Sequence, residues 1–251
     1  MLQAVLPEPW EDTPPPELMP APPPTQDELP CDDGEPMETQ RHKWQMDLLI
    51  ETMDRWLAQR GEGYAGGNMF VYFDLAQTRG QYFRGPDFFV VLGAPRGERK
   101  CWVVWEEGKG PDVIIELLSP RTAAFDQDGK KIIYQNQLRV PEYYWFDPFD
   151  PEERAGFALI EGVYRAIPRD DQGRLWSQCL NLALVLWRGV YRGIEGTWLR
   201  WATLAGELLP TDAEAVQQQV EQERQRAERA EKQIEQLHAR LRAMGVELEE
   251  E

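Results

Sequence analysis

The chain has 251 residues, 42% of them hydrophobic, and a formal net charge of −17. That length allows one sizeable core with appendages, and without an apolar run of about 18 residues it excludes a membrane-spanning helix. Cys31, Cys101 and Cys179 are too few and too scattered for a disulfide framework or a zinc site, so a reducing cytoplasm is the expected location.

The charge is unevenly spread. Residues 1–40 carry ten acids and no Lys or Arg; residues 212–251 carry eleven acids and six bases. The 23 acids and 21 bases between them leave residues 41–211 close to neutral. A basic stripe, the usual footprint of a nucleic-acid binder, is absent, but a local basic groove is permitted.

Ten of the 20 prolines fall in residues 1–30, among acids. Such sequence buries too little apolar surface to offset its ordering entropy, so an extended leader is expected, laid on the domain through Trp10, Leu18 and Met19. It lacks the basic start and apolar core of a secretory signal. Asp32-Asp33-Gly34 reads as a turn. A helix follows over residues 39–59, with Thr39 as its cap and Trp44, Leu48, Met53, Trp56 and Leu57 on its buried side. Residues 61–67 read as a loop. Strands are expected over 68–75, 88–92, 101–105, 113–118 and 142–146, with a helix over 126–137 between the last two. Short strands over 155–160, 162–167, 182–190 and 191–201 suggest an antiparallel extension. From Thr211, apolar residues from Val216 to Met244 recur in steps of four and three, the seam of a coiled coil, weakened by Glu223 and two alanines. A solvated single helix and a self-association helix both fit. The domain plan is therefore a leader (1–30), a domain (31–210) and a helical tail (211–251).

The chemistry concentrates in residues 110–148. Glu116 stands among Val113, Ile114, Ile115, Leu117 and Leu118, where an unpaired carboxylate would cost several kcal/mol. Asp112 and Glu116 point to one face of their strand but lie about 13 Å apart, too far to share a cation easily. An acid on a neighbouring strand, about 4.8 Å away, can share one. Asp87, at the entry to the 88–92 strand, is the candidate. Oxygen ligands of this kind suit Mg²⁺ or Mn²⁺. Lys130 and Lys131 open the following helix and bring an ammonium within reach of a phosphate or an attacking water.

These motifs occur in a telling order. Gly85-Pro86-Asp87 is followed by Pro111-Asp112-Val-Ile-Ile-Glu116-Leu-Leu-Ser119-Pro120, Lys130-Lys131-x-x-Tyr134, and Val140-Pro141-Glu142-Tyr143-Tyr144-Trp145-Phe146-Asp147-Pro148. Together with Asp32-Asp33-Gly34-Glu35-Pro36, His42, Gly66-Gly67-Asn68-Met69-Phe70 and the Glu/Arg/Ala-rich C-terminal helix, they resemble the putative restriction endonuclease family abundant in cyanobacterial genomes, part of the PD-(D/E)XK nuclease superfamily. The resemblance covers residues 30–245. It implies an α/β (α+β) restriction-endonuclease-like fold, with a mixed central sheet flanked by helices and a C-terminal coiled-coil helix. It also implies an Asp on one strand and Glu-x-Lys on the next, around one or two divalent metals. Asp87 matches the Asp and Glu116 the Glu. The lysine position is Leu118, a departure; in this family the lysine is moved to the following helix, where Lys130 matches and Lys131 is the fallback.

Plainer readings stand beside these. Asp87 and Asp112 follow prolines, as turn residues do; Asp112 is either a supporting acid or a turn residue. Glu116 can form a structural ion pair with Arg84 or Lys130. His42 reads as a helix-start or packing residue, and the aromatics 143–146 as core. Ser119 lacks a nearby His–Asp pair, and no phosphate-binding glycine loop is present. The expected function is Mg²⁺-dependent endonucleolytic hydrolysis of DNA by Asp87, Glu116 and Lys130, with Asp112 in support. The alternative is an inactive nuclease-like fold that self-associates through its tail.

Overall fold

A computed structural model describes residues 22–31, 38–77 and 85–243. The expected contributions of Trp10, Leu18 and Met19, the turn at residues 32–36 and a role for Arg84 lie outside them. Eleven strands and four helices are present among the described residues. They are α1 (Gln40–Arg60), β1 (Tyr64–Gly66), β2 (Val71–Tyr72), β3 (Phe88–Val91), β4 (Trp102–Val103), α2 (Val104–Glu107), β5 (Val113–Leu117), α3 (125–138), β6 (Glu142–Phe146), β7 (Arg154–Ile160), β8 (Val163–Ala166), β9 (Leu175–Ser177), β10 (Leu182–Tyr191), β11 (Ile194–Ala202) and α4 (Asp212–Ala243). The fold is α+β.

The central sheet has the order β1-β3-β5-β6-β7-β8. Only β5 and β6 run parallel, because α3 carries the chain back over the sheet between them; the other pairs are antiparallel. β5 is buried on both faces and reads as the continuous run VIIEL. Its alternate residues divide the core. Val113, Ile115 and Leu117 join Phe88, Val90, Tyr144 and Phe146 under α1. Ile114 joins Phe89, Val91 and Tyr143 on the opposite face, with Tyr134 and Val140.

α1 begins where Thr39 Oγ1 accepts the His42 N–H and ends at Gly61, whose φ of +76° is the left-handed conformation glycine adopts without strain. Trp44 and Trp56, expected on its buried side, are only partly buried, whereas Met46 and Leu49 are buried with Leu48, Met53 and Leu57. Gln45 acts as a short extra strand against β11: its amide donates to Leu199 O at 2.8 Å and accepts from Leu199 N at 2.9 Å. The expected antiparallel extension divides: β7 and β8 continue the central sheet beyond β6, and only β10 and β11 form, with the unexpected β9, a separate sheet of order β11-β10-β9 that packs against α1. Its β10–β11 hairpin turns at Arg192-Gly193, both at positive φ, matching the twist of the strands.

The strands expected over 68–75 and 101–105 shrink to the two-residue parallel pair β2–β4, outside the central sheet. The chain turns helical at Val104, with acids in the first turn, and stops at Gly108. Residues 22–31 lie against this pair: Leu29 packs with Phe70, Tyr72, Cys101 and Val103, Tyr72 Oη donates to Pro30 O at 2.7 Å, and Trp105 Nε1 donates to Pro24 O at 2.8 Å. β1 lies within the segment read as a loop and pairs with β3. Among the described residues, no helix is long and apolar enough to cross a membrane.

Candidate active site

The antiparallel register of β3 and β5 pairs Phe88 with Ile115. Continued by one residue, it places Asp87 opposite Glu116, the closest cross-strand relation available to two side chains. Asp87 Oδ2 accepts the backbone N–H of Leu117 at 2.7 Å, which fixes its carboxylate at the end of β5. Glu116 shares the face of Ile114 and so looks toward α3, not α1.

α3 is built from three short segments, Phe125–Lys130, Lys131–Ile133 and Tyr134–Leu138, the first and last with wide i→i+5 turns. Such turns recur at functional sites. From this helix Lys130 Nζ reaches Glu116 Oε2 at 2.9 Å and Asp126 Oδ1 at 2.9 Å. Tyr134 Oη donates to Glu116 Oε1 at 2.7 Å. Glu116 and Asp126 are 0% and 1% exposed, and Lys130 is 18% exposed.

The electrostatics follow from three acids around one ammonium. Burial raises the Asp87 carboxyl well above its ordinary value, and the Glu116 charge raises it further, against Lys130 and the Leu117 N–H. Asp126 is raised by burial and then by Glu116, again against Lys130. For Lys130, burial favours the neutral form, but the carboxylates of Glu116, Asp126 and Asp87 more than reverse this and hold it protonated. Tyr143, whose hydroxyl donates to the Asp126 backbone oxygen at 2.8 Å, is raised by burial and then by Glu116 and Asp126.

The other sequence candidates lie elsewhere. Asp112 is not brought to this cluster. It stands at the opposite end of β5, its Oδ2 accepting the Leu92 N–H at 2.7 Å and pairing with Lys109 Nζ at 2.7 Å. Lys131 points along the sheet to the aromatic rings of Phe157, at 3.5 Å, and Trp145, at 5.6 Å. Leu118 is buried core. His42 ties α1 to β5, with its ring nitrogens 2.8 Å from Thr39 Oγ1 and 2.9 Å from Leu118 O.

Two members of the cluster were missed or undervalued by sequence reading. Tyr134 shares a helix face with Lys130, four residues on, but had no assigned partner. Asp126, four residues before Lys130, reads as one more acid in a charged helix start. The i, i+4, i+8 spacing of Asp126, Lys130 and Tyr134 is the signal that joins them.

Among the described residues, no group of three or more His, Cys, Asp or Glu side chains forms a ready metal site. Mg²⁺, however, keeps several waters and is commonly held by one or two carboxylates. The carboxylates of Asp87 and Glu116, opposed across β3 and β5, fit that need.

A family model described as "Uma2: Putative restriction endonuclease" matches residues 17–190. No curated protein matches the chain. Among solved structures, a putative nuclease belonging to DUF820 from Anabaena variabilis is 18% identical, with 60% of this chain and 88% of that chain covered at a TM-score of 0.40. The family match spans well over half of the chain, including Asp87, Glu116, Asp126 and Lys130, and the chain thus belongs to the Uma2 family of putative restriction endonucleases.

Proposed function

We propose that this protein is a divalent-cation-dependent endonuclease that hydrolyses phosphodiester bonds in DNA. The observation that carries the reading is the meeting of Asp87, Glu116 and the Lys130 ammonium at one end of β5, from two strands and a helix distant in sequence. Asp87 and Glu116 would hold Mg²⁺ or Mn²⁺. Such a cation, when bound, stabilises negative charge on a phosphate and lowers the pKa of a bound water. Lys130, kept protonated by its neighbours, supplies a fixed positive charge for the scissile phosphate or orients the attacking water. Tyr134 holds Glu116 Oε1, so the carboxylate keeps its orientation on the sheet. Asp112 has no part in this chemistry.

One observation favours a second reading. Glu116 is fully buried and both of its oxygens have partners, as in a structural ion-pair network within a nuclease-like fold that no longer cleaves.

The test is cleavage of supercoiled plasmid, linear duplex and single-stranded DNA with Mg²⁺ or Mn²⁺, by wild type and Glu116→Gln. Wild type is expected to cleave, and the folded variant to lose about 10²-fold or more in rate, the scale on which charge-stabilising groups act. A variant that cleaves at the wild-type rate, or a wild type inert on every substrate, would leave the structural network as the role of Glu116.

A further inference from the structure

Lys130 is held by two carboxylates. Its Nζ is 2.9 Å from Glu116 Oε2 on the sheet and 2.9 Å from Asp126 Oδ1 on its own helix. With Oε1 taken by Tyr134, the oxygen contacted by Lys130 is the other acceptor Glu116 can present to a cation beside Asp87. An ammonium seated on Glu116 alone would compete directly with that cation.

Asp126 is built to stay where it is. It is 1% exposed, its N–H donates to Thr122 O at 2.9 Å, and its carbonyl oxygen accepts the Tyr143 hydroxyl at 2.8 Å. Tyr143 belongs to β6, hydrogen-bonded beside β5, so the sheet that carries Glu116 also locks Asp126.

We propose that Asp126 is a positioning residue: it gives the Lys130 ammonium a second carboxylate seat, so that a divalent cation can take Asp87 and Glu116 while the lysine stays in the site. The proposal rests on the metal-dependent reading above. It separates the two duties of Glu116, anchoring the lysine and holding the metal, by handing the first to Asp126.

The test is Mn²⁺ binding to the full chain, followed by electron paramagnetic resonance without substrate, for wild type, D126N, K130M and D126N/K130M. D126N is expected to weaken binding about tenfold, the low end of what partners of metal-holding groups contribute. In the K130M background the same change is expected to alter binding by less than about twofold, because no ammonium remains to be seated. Asp126→Glu, which keeps a carboxylate, should retain binding within about threefold of wild type, against the tenfold loss in D126N. An equal loss in both backgrounds would show Asp126 acting through its own charge or as a ligand, and would overturn the proposal. So would unchanged binding in D126N. If D126N does not fold, Asp126→Ser in both backgrounds is read by the same criteria. A wild type that binds Mn²⁺ no better than E116Q, titrated alongside, overturns the metal reading itself, and the proposal with it; that result shows in the wild-type and E116Q titrations, in which Asp126 is unchanged.

Discussion

At Asp112 and Glu116 two acids four residues apart on one strand meet opposite fates. Asp112 sits where β5 begins, and its oxygen serves the Leu92 N–H and Lys109. Glu116 lies opposite the entry to β3, so it finds Asp87 across the sheet and α3 above it. Removing Asp112 should therefore behave as the loss of a backbone cap. Asp112→Ala is expected to destabilise the fold by about 1–3 kcal/mol, the cost of leaving a backbone donor unpaired, while the folded fraction keeps its cleavage rate. Denaturant melts and a nuclease assay on the same preparation check both halves; a loss of cleavage beyond the loss of folded protein would return Asp112 to the site. Spacing alone favours Asp87, not Asp112, beside Glu116, because strand rise and strand separation are fixed by backbone geometry. Asp126 is not legible in the same way, because an acid in the run FDQDGKK looks solvated until α3 packs on the sheet.

The elements that aim the site are short and tightly registered. Gly67, just after β1, approaches the entry to β3 so closely that a Cβ there would lie 2.2 Å from Asp87 O and 2.9 Å from Met46 Cγ. The first of these is backbone, which cannot swing aside. Gly67→Ala is expected to destabilise the protein by about 1–3 kcal/mol through overpacking. It should also depress cleavage more than its effect on the folded fraction explains, because the atom displaced belongs to Asp87. Thermal melts beside cleavage rates decide this; an alanine variant with wild-type melting and rate would show that the approach is not tight. β1 itself was invisible to periodicity: Tyr64–Gly66 is three residues long and ends in glycine, so only its pairing with β3 makes it a strand. The apolar residues of β2 and β4 continue on both sides and suggest longer strands, but helix α2 begins at Val104 and ends the pairing.

On the scale of the molecule, α4 divides into an anchor and an overhang. At its start, Glu214 accepts Arg200 Nη2 at 2.6 Å, with Arg200 1% exposed, and Asp212 pairs with Arg55 at 3.2 Å. Farther along, Val220, Ile234 and Leu237 are 63%, 52% and 55% exposed. Truncation after residue 220 is expected to leave the melting temperature of the domain unchanged. Truncation after residue 210 takes Glu214 from the buried Arg200 guanidinium, which keeps Leu209 O as an acceptor, and should cost about 1–3 kcal/mol, the penalty for leaving a buried donor unpaired. Calorimetry of the two truncations separates anchor from overhang, and equal melting would refute the division. Light scattering on the same proteins reports whether the exposed residues pair two chains; an unchanged mass after truncation at 220 removes self-association from the tail.

What depends on local geometry and composition is legible in the residues alone. β5, α3 and β6 follow from an apolar run, a charged helix and an aromatic run within 39 residues, and the pairing of Glu116 with an acid on the next strand follows from backbone distances. What depends on which surfaces meet comes from long-range packing. The choice of Lys130 over Lys131 turns on the rotation of α3 over the sheet, which sends one ammonium to Glu116 and the other to Phe157. The recruitment of Asp126 and Tyr134 turns on the same contact. A helix face is readable from spacing, but what it faces is set by long-range packing that no local pattern records.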